Sequence, residues 1–242
     1  MSGSVKTEAV VLRSLRYGEA DRILHLYTPG GGRIGAIAKG VRRTRSRFGG
    51  RLEPFFRVRL ILYEGRGELM TVTSAETVDP HARLREQAAG LDSAARACDA
   101  VGRIFETTEP HPAVYNLLCH ELALLDSDPG QATHANALAF RLKLLIAAGL
   151  APQLAACAAC GATEHLVGFS AAAGGVVCSA CEAASFPLDE ATHAFMTAVV
   201  GGPLALAPAG ASGRTLRQAE RAISEMLEHH AHLRLRSASR PS

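Results

Sequence analysis

Four of the six cysteines stand in two C-x-x-C pairs, Cys157/Cys160 and Cys178/Cys181, with 17 residues between the pairs. At this spacing each pair makes a tight knuckle presenting two thiolates, and the intervening hairpin folds the knuckles together, as a tetrahedral Zn²⁺ requires. Gly161 relieves crowding after the first pair, and Gly174 and Gly175 supply a bend before the second. Four thiolates leave no open position for water, so a single zinc ion held this way is structural rather than catalytic. Two disulfides, or two redox-active pairs, are the competing readings. Disulfides suit an oxidising compartment and redox pairs a thioredoxin-like βαβ context, and the sequence offers neither setting. No Lys or Arg lies between Cys157 and Cys181, and Glu164 and Glu182 are close by, so the insert is expected to hold helices rather than touch a polyanion. Cys98 and Cys119 fall at apolar helical positions and read as core thiols.

A second concentration of chemistry is cationic. Between positions 33 and 66 lie ten basic side chains, Arg33, Lys39, Arg42, Arg43, Arg45, Arg47, Arg51, Arg57, Arg59 and Arg66, against only Glu53 and Glu64. The densest part, residues 40–51, mixes Arg with Gly, Thr44 and Ser46 and has no strand period, so it reads as a long loop. Such a loop can follow a phosphate backbone, and Phe48 is the aromatic expected to stack on bases. Phosphate contacts carry no sequence information, and no recognition helix is present, so base-specific readout is not implied. The competing reading is a solvated basic loop that binds nothing in particular. If five or six phosphates are neutralised, log K on single strands falls against log salt with a slope of order −4.

Other motifs break on inspection. Residues 30–35 match G-x-G-x-x-G but lead into strand character where a dinucleotide site needs a helix, so they read as a hairpin turn. No Walker A string occurs, Leu124 ends the H-E-x-x-H pattern begun at His120, and residues 126–130 lack the later ligands of a calcium loop. His229, His230 and His232 read as charge near a helix C-terminus, and there is no G-x-S-x-G elbow. The expectation is a protein that is not an enzyme and has no small-molecule substrate.

These residues need a scaffold, and the chain has material for one. It has 242 residues and 48% apolar side chains, which excludes wholesale disorder. The net charge of +3 hides an asymmetry: residues 1–76 hold 14 basic and 7 acidic side chains, and residues 77–242 hold 12 and 16. A basic first part joined to a mildly acidic remainder suits one half that meets a polyanion and one that does not. Five short strands are expected at 5–13, 21–28, 33–39, 55–63 and 69–75. In the fourth, Phe56, Val58, Leu60 and Leu62 face inward and Arg57 and Arg59 outward. This string fits a small barrel of the OB type, and a flat five-stranded sheet or an SH3-like barrel fits it too. Helices are expected at 82–105, 113–125, 132–148 (ended by Gly149 and Pro152), 188–200 and 213–235, with a frayed tail at 237–242. The fold class is therefore α+β: a nucleic-acid-binding barrel at 1–78, then a helical domain at 79–242 with a zinc-binding insert at 153–185. No stretch reads as a membrane span or a signal peptide, so a cytoplasmic protein without membrane contact is expected.

Several strings carry a family likeness. Residues 19–28 (EADRILHLYT), the Lys39-Gly-Val-Arg-Arg43 turn, Ser46-Arg-Phe48, Leu52-Glu-Pro-Phe55, and Gly149-Leu-Ala-Pro152 ahead of Cys157-Ala-Ala-Cys160-Gly161 resemble the RecO family of bacterial recombination mediators. The likeness in order of parts covers nearly the whole chain. It implies an OB-fold domain that binds single- and double-stranded DNA and anneals complementary strands. It also implies partnership with RecR, and displacement of single-stranded DNA-binding protein (SSB) so that RecA can load. On this likeness Lys39, Arg42, Arg43, Arg45 and Arg47 fall where the family places basic loop contacts to DNA, and Arg33, Arg51, Arg57 and Arg59 join them as DNA-binding candidates. The family also takes the acidic, Phe-ended SSB tail in a basic, apolar groove of the helical domain. Arg141 and Lys143 are the candidates for clamping its carboxylates, and both equally suit the solvated face of a core helix. Leu138, Leu142 and Leu145 on the same helix read as core. The alternative function is a zinc-ribbon interaction protein whose barrel binds RNA, with no SSB or RecA role.

Overall fold

A computed structural model describes residues 3–65, 67–207 and 210–238. Arg66 of the basic run and residues 239–242 of the expected tail lie outside the described residues. The chain divides into two compact units, Met1–Pro129 and Gly130–Ser242.

The first unit begins with five strands, β1 (Ser4–Tyr17), β2 (Asp21–Thr28), β3 (Gly32–Ala38), β4 (Arg57–Tyr63) and β5 (Met70–Asp79). They pair in the order β1-β2-β3-β5-β4, and β4 returns to β1 to close the sheet into a barrel. Closure is possible because β1 is long and bent. It pairs with β4 through residues 4–10 and with β2 through residues 10–17, with a bulge between Val11 and Arg13. Among these strands the one parallel pairing joins Ala36 and Ile37 of β3 to Met70 and Thr71 of β5. Period-two alternation sends Ala9, Val11, Leu24, Leu26, Ala36, Ala38, Val58, Leu60, Leu62 and Val72 into one core. Each large aliphatic side chain buried there is worth about 1.5–3 kcal/mol of transfer free energy.

The rest of this unit is helical, with α1 at Ala88–Ile104 and α2 at Pro112–Ser127. Helix α1 starts later than the apolar pattern predicts. Residues 84–86 make a separate 3-10 turn whose Leu84 N–H donates to Asp126 Oδ1 at 2.9 Å, and Gly90 leaves room for the Leu84 carbonyl. Pro112 supplies the preset φ of a first helical position. Both helices cluster with the strands, so the compact unit extends well past residue 78.

The second unit holds α3 (His134–Ala147), β6 (Leu166–Ser170), β7 (Gly175–Cys178), β8 (Phe186–Pro187), α4 (Glu190–Gly201) and α5 (Gly213–Ala231). Its helices begin where side chains can cap them. Thr133, Asp189 and Ser212 accept from the backbone N–H groups of Asn136, Thr192 and Thr215. Helix α3 ends as expected, with Gly149 at φ 78° and Leu150 N–H returning to Leu145 O. The stripe of α5 buries Ala219, Ile223, Met226 and Leu227, and the helix stops at a left-handed His232. Among the described residues, no helix is long and apolar enough to cross a membrane.

Candidate nucleic-acid interface and metal centre

Residues 39–52 form the expected turn-rich connection between β3 and β4, and it is pinned at both ends and in the middle. Gly40, at φ 69°, donates its N–H to Asp21 Oδ1 at 2.7 Å, and Arg42 N–H donates to Ala20 O at 2.9 Å. Further on, Phe48 and Leu52 insert into the barrel core at 1% exposure each. This corrects the sequence expectation for Phe48: its ring cannot offer a stacking face, because it fills the barrel interior beside Leu24 and Leu60. Its neighbour Arg47 lies over the ring, its Cζ 4.7 Å from the centroid. With the apolar side chains turned in, Lys39, Arg42, Arg43, Arg45, Arg47 and Arg51 are all turned out to solvent.

None of these six meets a carboxylate among the described residues. Arg42, Arg47 and Arg51 donate only to backbone carbonyls, those of Glu19, Val72, and Arg47 with Phe48, respectively. The other three candidates are different. Arg57 Nη2 lies 2.7 Å from Glu8 Oε2, and Arg59 bridges Glu8 at 3.1 Å and Glu76 at 3.0 Å. Hydrogen bonding from Arg57, with its charge and that of Arg59, holds the Glu8 carboxyl below the usual carboxylate range despite partial burial. Arg33 donates to Gly102 O at 2.9 Å and sits 3.8 Å from Glu106. The alternation correctly turns Arg57 and Arg59 outward, but Glu8, directly across from Arg59 on β1, neutralises much of their charge. Among the candidate DNA contacts, the cations without a carboxylate partner are thus those of the loop, not those of β3 and β4.

In the second unit the four cysteine sulfurs of Cys157, Cys160, Cys178 and Cys181 all lie within 4.8 Å of one another. Each knuckle closes on its own backbone: Gly161 N–H reaches Cys157 O at 2.8 Å and Cys181 N–H reaches Cys178 O at 2.9 Å. Gly161 takes φ 82°, the left-handed turn the first knuckle needs. The β6–β7 hairpin, turning at Gly174, carries the second knuckle back to the first. Gly175 admits the chain at residue 153 against β7; a Cβ there would lie 2.2 Å from Gln153 O. Backbone N–H groups, that of Cys178 first, pull the Cys157 thiol down to about 6, while contact with the neighbouring thiols pushes Cys181 up to about 12. The donor set and its spacing fit a cation that takes four soft ligands.

This unit is tied to the helices around it. Arg221 of α5 stacks over Phe186 at 4.1 Å, His193 of α4 bonds Leu154 O at 2.7 Å, and His230 of α5 bonds Ala171 O at 2.8 Å. Arg141 and Lys143 both bond within this unit. Arg141 is 4% exposed, donates to the carbonyl of Arg236 and lies 3.7 Å from Glu220. Lys143 donates to Gly202 O at 2.7 Å. On a helix buried on most of its faces, their charges hold the chain after α4 and after α5, and Arg141 is too deeply buried to stand ready for a peptide carboxylate.

The described residues thus combine a small barrel bearing a carboxylate-free cationic loop with helices that carry a four-cysteine cluster fit for a metal ion. The chain matches the family model for the recombination protein O N terminal over residues 1–81 and that for its C terminal over residues 88–239. It is 40% identical over 224 residues to the DNA repair protein RecO of Rubrobacter xylanophilus, covering 90% of this chain and 88% of that protein. It is 36% identical over 244 residues to the DNA repair protein RecO of an Anaeromyxobacter species (96% and 93% covered). To that of Streptomyces griseus it is 35% identical over 246 residues (96% of each). The chain belongs to the RecO family, whose role lies in DNA repair and recombination.

Proposed function

We propose that this chain is a non-enzymatic mediator that binds single- and double-stranded DNA, anneals complementary strands and, with RecR, helps load RecA onto SSB-coated DNA. The observation that carries this reading is the set of six solvent-facing cations on residues 39–51 with no carboxylate partner among the described residues, held on a barrel by Phe48 and Leu52. The strand order β1-β2-β3-β5-β4 supports assigning the barrel to the OB type, a fold suited to polynucleotides. Cations on a loop can screen two phosphate backbones at once, which lowers the repulsion that slows pairing. One structural Zn²⁺ on Cys157, Cys160, Cys178 and Cys181 would fix the hairpin against α4 and α5 and supply no catalysis, since four thiolates complete its coordination. Such a protein works in the cytoplasm at the nucleoid.

The test is the annealing rate of complementary oligonucleotides already coated with the SSB of the same organism, with and without the protein. Bare strands are a poor probe, because any polybasic loop brings them together. Acceleration of coated strands is expected. DNA binding without acceleration would leave a nucleic-acid binder with no SSB role and overturn the mediator reading.

A further inference from the structure

With Phe48 buried, the loop has no base-stacking side chain of its own. The neighbouring aromatic is Tyr17, at the end of β1, which is 54% exposed. Its hydroxyl has no partner among the described residues. Beyond the bulge, residues 13–17 of β1 pair with β2 on one side and have no β4 partner on the other. Arg13, Leu15 and Tyr17 alternate onto one face, across from His25, Ile23 and Asp21 of β2, with Gly35 and Ile37 of β3 continuing the rows. This is the outside of the barrel, since the residues between them, Leu24, Ala36 and Ala38, are in the core. Leu15 is itself 41% exposed, so the face is an apolar strip at the solvent boundary.

The strip is contiguous with the cationic loop. The turn after Tyr17 is bonded to it through Arg42, whose guanidinium donates to Glu19 O and whose N–H donates to Ala20 O. Asp21, opposite Tyr17, has an oxygen taken up by the Gly40 N–H, and Lys39 follows directly from β3. Arg13 is exposed and carries no ion pair among the described residues. Burial, and then the charges of Arg33 and Arg13, disfavour protonation of His25, which places both guanidinium groups near this end of the face. An exposed aromatic and aliphatic strip bordered by cations complements a chain with flat apolar groups and a phosphate backbone. Only unpaired bases offer a free π-face, since those of a duplex are already stacked on each other.

Resting on the DNA-binding reading above, we infer that the outer face of β1–β3 is the single-strand-selective part of the site, with Tyr17 as stacking platform and Arg13 and Lys39 as flanking phosphate contacts. The loop then supplies affinity for either form of DNA, and Tyr17 supplies the difference between them.

The chain contains no Trp, so Tyr17→Trp makes a single fluorescent reporter. An oligo(dT) of about 30 nucleotides should quench it, and a duplex closed at both ends by hairpin loops too short to reach the face should not. In parallel, Tyr17→Ala should weaken oligo(dT) binding roughly 5- to 150-fold, the cost of one lost base stack, at unchanged salt slope and unchanged duplex affinity. Tyr17→Phe should bind like the parent. Indole fluorescence of Tyr17→Trp that stays unquenched while anisotropy reports bound oligo(dT), or equal losses on both probes in Tyr17→Ala, overturns the inference and leaves the loop reading standing. Unchanged affinity for both probes in Tyr17→Ala also overturns it. Should the parent protein bind neither probe, the DNA-binding reading falls and takes this inference with it.

Discussion

Replacing Phe48 by Ala separates a structural from a nucleic-acid role for the loop's one aromatic ring. The ring is 1% exposed in a core shared with Leu24, Leu26, Leu60 and Leu62, so truncation leaves a cavity the barrel cannot close without moving strands. Phe→Ala at such a site costs about 3–5 kcal/mol, a large part of the 5–15 kcal/mol that stabilises a typical domain. At a urea m-value of about 2 kcal/mol/M, the barrel transition should move down by roughly 1.5–2.5 M. Circular dichroism in urea, with amide exchange of β1–β5 to identify the unit that melts, measures it. Phe48→Leu keeps most of the apolar volume, and should cost far less and leave DNA affinity near that of the parent. A loss below about 0.5 kcal/mol for Phe48→Ala, the range of surface substitutions, would refute burial of the ring. So would a Phe48→Leu variant that is stable yet loses single-strand affinity, since that is the signature of a stacking residue.

Glu8 provides a pH prediction. Its folded carboxyl titrates below its ordinary value, so the stabilisation it provides is complete above that ordinary value and is lost as pH falls through the lower, folded one. Glu8→Gln should therefore lower stability near neutral pH and flatten the acid limb of a stability profile recorded from pH 7 to 3; an acid limb identical to the parent's would contradict the pairing with Arg57 and Arg59. For the cysteine cluster, Cys178→Ser should reduce bound zinc from about one equivalent to under half, measured by metal analysis after dialysis. It should also expose amides of β6 and β7 to exchange while those of β1–β5 stay protected. Less than half an equivalent of zinc in the parent would remove the structural-metal assignment.

Local patterns in the sequence were enough wherever the physics is local. The alternation of Val58, Leu60 and Leu62 identifies β4 and its inner face, and the two C-x-x-C pairs identify the cluster because a knuckle is set by four adjacent residues. Gly149 marks the end of α3 for the same reason. What escaped depends on residues far apart in the chain. Arg59 looks free until β1 brings Glu8 beside it, 51 positions away. Phe48 sits in a run of Arg, Gly and Ser that reads as solvated, and only closure of the barrel creates the cavity it fills. Arg141 has a charged residue's signature on an otherwise apolar helix; the carbonyl that receives it comes from Arg236, 95 positions on. Tyr17 carried no signal by itself, because its exposure follows from β1 outrunning its partner β4.

The central claim, that residues 39–51 are the polyanion contact, is tested most directly by the salt dependence of oligo(dT) binding. Six loop cations each meeting a phosphate give a slope of log K against log salt of about −4, at roughly 0.7 per contact on a single strand. Combining Lys39→Ala, Arg43→Ala and Arg45→Ala, three exposed residues with no side-chain partner among the described residues, should bring the slope to about −2 with the barrel's stability unchanged. A triple variant that keeps the parent slope would place the phosphate contacts elsewhere and contradict the account.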